Sequence, residues 1–179
     1  THRTNQMNLT TIRRTEAEIQ ALLRPGAVQC LVVEVSDRFG DYGLTGVAIF
    51  ESGPEALQVD TFLLSCRVLG RGIEHRLLAR LGEIAQQRGL RWVDVPYRPT
   101  QRNRPALLFL ESVGAKYKRP AEHGFQFRFP SAVAGAVQYR PATAAPKPPA
   151  EPVAGQAPSR EPIDFVFIAN RLRAVDQIQ

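Results

Sequence analysis

The chain has 179 residues, of which 44% are apolar, enough for one domain with a hydrophobic core. Its net charge of +6 favours acidic partners, but the basic residues are scattered, which argues against a nucleic-acid interface. The sequence lacks an apolar run long enough for a membrane span, and its two cysteines form neither a disulfide framework nor a metal-binding pattern.

The N-terminal half is predicted to alternate between strands and one helix. Residues 3–14 have a weak strand pattern, and Thr15 and Glu18 form a capping box that starts a helix, which Pro25 and Gly26 end. Apolar and β-branched residues predict three further strands, at 28–35, 44–51 and 57–66. A glycine-containing loop, 37–43, is predicted between the first two of these.

The second half continues with a long amphipathic helix, predicted over 72–88 from its 3.6-residue apolar period and ended by Gly89. A strand follows at 90–95 and a polar loop at 96–104. Asn103 is predicted to cap a short helix with Pro105 at its first position, ending at Gly114. The last strand is predicted at 125–129.

The composition changes near residue 131. We expect one domain over 1–130 and a stiff linker rich in Pro and Ala over 131–161. An apolar stripe then predicts an amphipathic helix over 162–179, which either starts a following domain or docks on this one. Because the chain begins at Thr1 rather than at a methionine, we expect a cytoplasmic piece of a longer protein.

A short turn joins the strand at 57–66 to the long helix and has the pattern Arg67-x-x-Gly70-x-Gly72. Backbone N–H groups and the positive end of the helix dipole converge at such a turn, which suits a phosphate. The candidate phosphate-binding residues are Arg67, Val68, Leu69, Gly70, Arg71 and Gly72. The alternative is that the two glycines only permit a tight strand-to-helix corner.

The order of the elements and this turn resemble the GNAT acyltransferase fold, an α/β fold with a mixed central sheet flanked by helices. Four motifs extend the resemblance to the C-terminal GNAT-like half of FkbH-like proteins over residues 3–129. They are RTNQMNLTT (3–11), DRFGDYG (37–43), DTFLLSCRVLGRG (60–72) and YxPTxxN (97–103).

The resemblance implies an acyltransferase that loads a small hydroxyacyl unit, of glyceryl or lactyl type, onto the phosphopantetheine thiol of an acyl carrier protein in polyketide biosynthesis. It also implies an upstream HAD-type phosphatase-like partner, whose Asp-x-Asp-x-Thr motif this chain lacks. The alternatives are an acetyltransferase or malonyl decarboxylase that uses coenzyme A, and a domain that only docks other proteins. No metal is expected in the domain.

Cys66 is the candidate relay thiol, since a thiolate can accept an acyl group and pass it to another thiol; the alternative is a buried strand cysteine. Cys30 is expected to be a core residue. Asn103 could polarise the acyl carbonyl, and Tyr97 is implied as a general acid by the resemblance. In the GNAT fold the acyl-pantetheine lies where the fourth and fifth strands diverge. The candidate substrate-binding residues are Asn8, Thr10, Ser65 and Thr100.

Overall fold

A computed structural model describes residues 6–23, 28–38, 40–141 and, for the backbone, 172–174. The described residues form eight strands of one sheet: β1 (Met7–Asn8), β2 (Val28–Asp37), β3 (Gly40–Ser52), β4 (Ala56–Leu64), β5 (Trp92–Tyr97), β6 (Lys118–Ala121), β7 (Gly124–Pro130) and β8 (Leu172–Ala174). They also form four α-helices: α1 (Glu16–Leu23), α2 (Ile73–Gln87), α3 (Arg104–Gly114) and α4 (Ser131–Gly135).

The sheet is mixed and has the order β6-β7-β5-β4-β3-β2-β8, with β1 paired to β4 outside this path. Among the described strands, only β4 and β5 pair in parallel, because α2 forms the crossover between them. α2 packs on β4 and β5, and α3 on β1 and β7. The predicted α/β class, with a mixed central sheet flanked by helices, is confirmed.

The best predicted helix is α2, whose apolar stripe faces the sheet. Leu77, Leu78, Leu81 and Ala85 are each at most 1% exposed. The capping box of α1 is also confirmed: the Thr15 nitrogen donates to the Glu18 carboxylate (2.6 Å), and the Glu18 nitrogen donates to Thr15 Oγ1 (3.3 Å).

Three strand predictions need correction. The strand expected over 3–14 is limited to Met7–Asn8 among the described residues. The expected loop at 37–43 belongs largely to the hairpin of β2 and β3, where Ser36 pairs with Asp41. β6 was not predicted, because Lys-Arg-Pro-Ala has no alternation of apolar residues; it forms an edge strand on β7.

The expected linker from residue 131 is also corrected. α4 packs on α2 so closely that a Cβ on Gly82 would overlap the peptide nitrogen of Gly135. Small residues make this contact possible, so the Ala-rich composition reflects close helix packing as far as Gly135. Residues 142–171 lie outside the described residues.

The predicted terminal helix is wrong at Leu172–Ala174. These three residues form a strand that pairs antiparallel with β2, from Leu31 opposite Ala174 to Val33 opposite Leu172. Pairing with an available sheet edge supplies backbone hydrogen bonds that outweigh the helical spacing of a few apolar residues.

Candidate functional site

Strands β4 and β5 pair along three positions and then diverge. Their pairing joins residues 56–58 to residues 92–94. Beyond it, the Leu9 nitrogen donates to the Phe62 oxygen of β4 (3.2 Å), and the Leu9 oxygen accepts a hydrogen bond from the Arg98 nitrogen just after β5 (2.8 Å). The backbone of Leu9 therefore bridges the two strands.

The segment that fills this gap comprises residues 7–9. Met7 lies opposite Leu64 and Asn8 opposite Leu63 in the antiparallel pairing of β1 with β4. Met7, Asn8 and Leu9 are 1%, 3% and 0% exposed. The gap in which the GNAT fold places an acyl-pantetheine arm is thus occupied by the chain itself.

The Asn103 side chain ties this segment to the loop after β5. It is fully buried, and its Nδ2 donates to the Asn8 oxygen (3.1 Å) and the Arg98 oxygen (2.8 Å). Its Oδ1 accepts from the Tyr97 hydroxyl (2.9 Å) and the Thr100 nitrogen (2.8 Å). All four hydrogen-bonding positions of the amide are used within the protein.

Asn103 occupies the predicted N-cap position of α3, but its side chain makes no capping hydrogen bond to the helix. A role in polarising an acyl carbonyl would require Asn103 to give up one of these four hydrogen bonds. The geometry instead assigns the residue to positioning: it holds Asn8, Tyr97 and Thr100 in one network.

Tyr97 is 2% exposed, and burial raises the pKa of its hydroxyl, with the Glu111 carboxylate adding to the effect. Because that hydroxyl donates to Asn103, it faces the interior network rather than solvent. Thr100 Oγ1 accepts from the Asn103 nitrogen (3.2 Å). Thr10 is 2% exposed, and its Oγ1 has no hydrogen-bond partner within the described part of the chain.

The turn after β4 begins with a short 3₁₀ helix, Cys66–Val68, and leads into α2. The first intrahelical hydrogen bond of α2 joins the backbone nitrogen of Arg76, as donor, to the Gly72 oxygen (3.0 Å). The N–H groups of residues 73–75 precede that bond and have no intrahelical acceptor. They form the donor set that an anion would need at this turn.

The backbone conformation favours glycine at both Gly70 and Gly72, and at Gly72 a side chain would also lack space. Both have positive φ, +72° and +83°. A Cβ on Gly70 would meet nothing within 4 Å, so the space beside it is open to a ligand. A Cβ on Gly72 would lie 2.7 Å from the Cβ of Tyr139, whose hydroxyl donates to the Gly70 oxygen (2.8 Å).

Glu74 places a carboxylate directly at this turn. Its Oε1 accepts from the Gly70 nitrogen (3.3 Å), and its Oε2 is buried without a hydrogen-bond partner in the described structure. His75 lies beside it, with Nδ1 3.6 Å from Glu74 Oε1 and its ring against Phe109 and Tyr139. Sequence reasoning missed Glu74, although an acidic residue in the first turn of a helix was a usable signal.

The two arginines of the turn differ in their surroundings. Arg71 Nη1 donates to the Tyr42 hydroxyl (3.2 Å) and to Asp37 Oδ2 (3.3 Å), so its charge is shared with the hairpin of β2 and β3. Arg67 is exposed, and its backbone nitrogen (3.4 Å) and Nε (3.3 Å) both donate to Ser65 Oγ. Arg67 is therefore the better placed of the two for a ligand phosphate.

The two cysteines have different environments. Cys66 lies at the start of the turn and is exposed, so the alternative of a buried strand cysteine is wrong. Cys30 lies within β2 and is half-buried, and burial raises the pKa of its thiol. An exposed thiol at a turn is the more reactive arrangement.

Comparison with known proteins adds structural similarities. No protein-family model matches the chain, and no curated protein matches it. An IAA acetyltransferase from Bacillus cereus ATCC 14579 superposes with a TM-score of 0.43 at 16% identity, covering 64% of this chain and 82% of its own. A protein from Agrobacterium tumefaciens assigned to the acetyltransferases gives a TM-score of 0.37 at 23% identity, covering 68% and 97%.

Among the described residues, no helix combines the length and apolar character needed to cross a membrane. The same part of the chain contains no group of three or more His, Cys, Asp or Glu side chains placed to bind a metal ion.

Proposed function

We propose that this chain is an acyltransferase domain that relays a small hydroxyacyl starter unit through Cys66 to the phosphopantetheine thiol of an acyl carrier protein in polyketide biosynthesis. An HAD-type partner domain supplies the activated acyl group. The observation that carries the proposal is the exposed Cys66 thiol at the start of the turn that leads to the N-terminus of α2.

The chemistry requires two exchanges at one sulfur. The Cys66 thiolate attacks the carbonyl carbon of the activated acyl group, a C–S bond forms, and the leaving group departs with its electron pair. The carrier thiolate then attacks the new thioester and releases the Cys66 thiolate. Because a thioester is exchanged for a thioester in the second step, that step needs no external energy source.

The turn favours the arm of a carrier protein over free coenzyme A. The arm is attached through one phosphate, whereas coenzyme A brings a diphosphate. The Gly70 N–H already binds the Glu74 carboxylate, which would repel each added negative charge. Because residues 7–9 fill the gap between β4 and β5, an arm that reaches Cys66 would do so from the surface.

The charge of the chain supports an acidic partner. Its net charge of +6 complements the acidic surface typical of carrier proteins and would accelerate their encounter. Arg67, exposed beside Cys66, is the residue we expect to meet the phosphate of the arm.

Intact-protein mass spectrometry tests the relay. The chain is incubated with the N-acetylcysteamine thioester of glyceric or lactic acid, and a mass gain of one acyl group is expected. The gain should disappear in Cys66→Ala and persist in the matched control Cys30→Ala, since Cys30 is half-buried within β2.

Transfer to a holo carrier protein is measured in a second step. Loss of carrier acylation in Cys66→Ala supports the relay. Carrier acylation that is unchanged in Cys66→Ala contradicts it and indicates direct transfer, as in a coenzyme A-type GNAT enzyme. Absence of acylation of both the chain and the carrier contradicts the proposal in favour of a docking domain.

A further inference from the structure

A cavity of about 320 Å³ lies where the inserted N-terminal segment meets the loop after β5. Its lining comes equally from both: Asn8, Thr11 and Arg13 from the first, and Thr100, Gln101 and Arg102 from the second. The buried Asn103 amide joins these two walls through its hydrogen bonds to Asn8 and Thr100. The cavity therefore forms only when the two segments meet in the folded protein, and a buried hydrogen-bond network fixes their relative position.

The lining is polar and positively charged. Arg13 and Arg102 contribute two guanidinium groups, and none of the described residues that line the cavity is acidic. The neighbouring Arg14 donates to both carboxylate oxygens of Asp60 (2.7 and 2.9 Å), which fixes the chain just after Arg13 to β4. Guanidinium groups arranged around a polar cavity match the geometry and charge of a carboxylate or phosphate.

The backbone of one wall is strained. Thr11 has φ +60°, the left-handed region that β-branched residues avoid, and it is the only non-glycine residue with positive φ in the described part of the chain. Asn8 holds this conformation, because its Oδ1 accepts from the Thr11 nitrogen (2.9 Å) and its Nδ2 donates to the Ile12 oxygen (3.3 Å). Strain that neighbouring hydrogen bonds maintain is typical of ligand-binding loops.

We propose that this cavity binds the oxyanion, phosphate or carboxylate, of a small hydroxylated molecule between Arg13 and Arg102. The volume suits a molecule of a few carbon atoms and is at the lower end of the range for small-molecule sites. The hydroxyl of Thr100 and the amide of the exposed Gln101 supply polar groups for its hydroxyls. Cys66 does not line the cavity, so this proposal can be tested independently of the proposed relay.

Isothermal titration calorimetry on the full chain tests the site with three probes. Glycerol 3-phosphate carries the phosphate, glycerate carries the carboxylate, and glycerol has neither. We expect at least one of the two anions to bind and glycerol to bind at least tenfold more weakly. Tighter binding of one anion identifies which oxyanion the cavity prefers.

Single substitutions then locate the binding. Arg13→Gln and Arg102→Gln should each weaken the anion at least tenfold, while Arg119→Gln, an exposed arginine of β6 outside the cavity, should leave it unchanged. Both cavity arginines are exposed, so the variants should fold, which circular dichroism checks. The proposal would be overturned if glycerol bound as tightly as the anions or if neither anion bound at millimolar concentration. It would also be overturned if neither Arg13→Gln nor Arg102→Gln weakened anion binding.

Discussion

Asn103→Ala removes the amide that joins residues 8, 97, 98 and 100. The four hydrogen bonds of this side chain are between 2.8 and 3.1 Å long, and the residue is fully buried. In the variant, the Asn8 and Arg98 oxygens, the Thr100 nitrogen and the Tyr97 hydroxyl all lose a partner in the interior. The folded state should lose stability because these groups cannot be replaced by water without opening the loop.

The size of the effect follows from the number of bonds. A hydrogen bond contributes a net of about 0.5–1.5 kcal/mol, so four of them give about 2–6 kcal/mol, and we expect a loss of about 3–5 kcal/mol. Loss of an N-cap interaction alone would cost only about 1 kcal/mol. The two roles of Asn103 therefore predict different magnitudes.

Urea denaturation followed by circular dichroism measures the free energy of unfolding. Asn103→Ser separates the two roles, because serine is a good N-cap but cannot span the network. Tyr97→Phe removes only the hydroxyl that donates to Asn103 and should cost about 1 kcal/mol. A loss of about 1 kcal/mol in Asn103→Ala, combined with wild-type stability in Asn103→Ser, would refute the network and restore the capping role.

Two other predictions concern the helix contact and a buried carboxyl. Gly82→Ala should destabilise the fold by about 1–3 kcal/mol, because its methyl group would overlap the backbone of α4. Helix propensity alone would make this change stabilising. A raised melting temperature of the variant would therefore contradict the close packing of α2 on α4. Burial raises the pKa of Asp94, against the opposing effect of Arg128, so its carboxyl favours the folded state when protonated, and that contribution is lost as pH rises through the raised pKa. Unfolding free energies measured across the acidic range should show this pH-dependent loss in the wild type but not in Asp94→Asn; parallel curves would contradict it.

Features that depend on neighbouring residues could be predicted from the sequence. The capping box of Thr15 and Glu18 joins residues three positions apart, and the apolar stripe of α2 has the helical period. The turn with Gly70 and Gly72 could be recognised from the sequence, because a backbone position with positive φ favours glycine. The element order, and with it the fold class, followed from such local patterns.

The candidate site was only partly predictable for the opposite reason. Asn103 has the sequence context of an N-cap, yet its partner Asn8 lies 95 positions away, and only the folded sheet brings the two together. The composition after residue 131 indicates a linker followed by a helix. In the structure, Tyr139 covers Gly72, and residues 172–174 extend the sheet as a strand. Contacts distant in the sequence decided these positions, because a buried amide and an open sheet edge must find hydrogen-bond partners wherever the fold provides them.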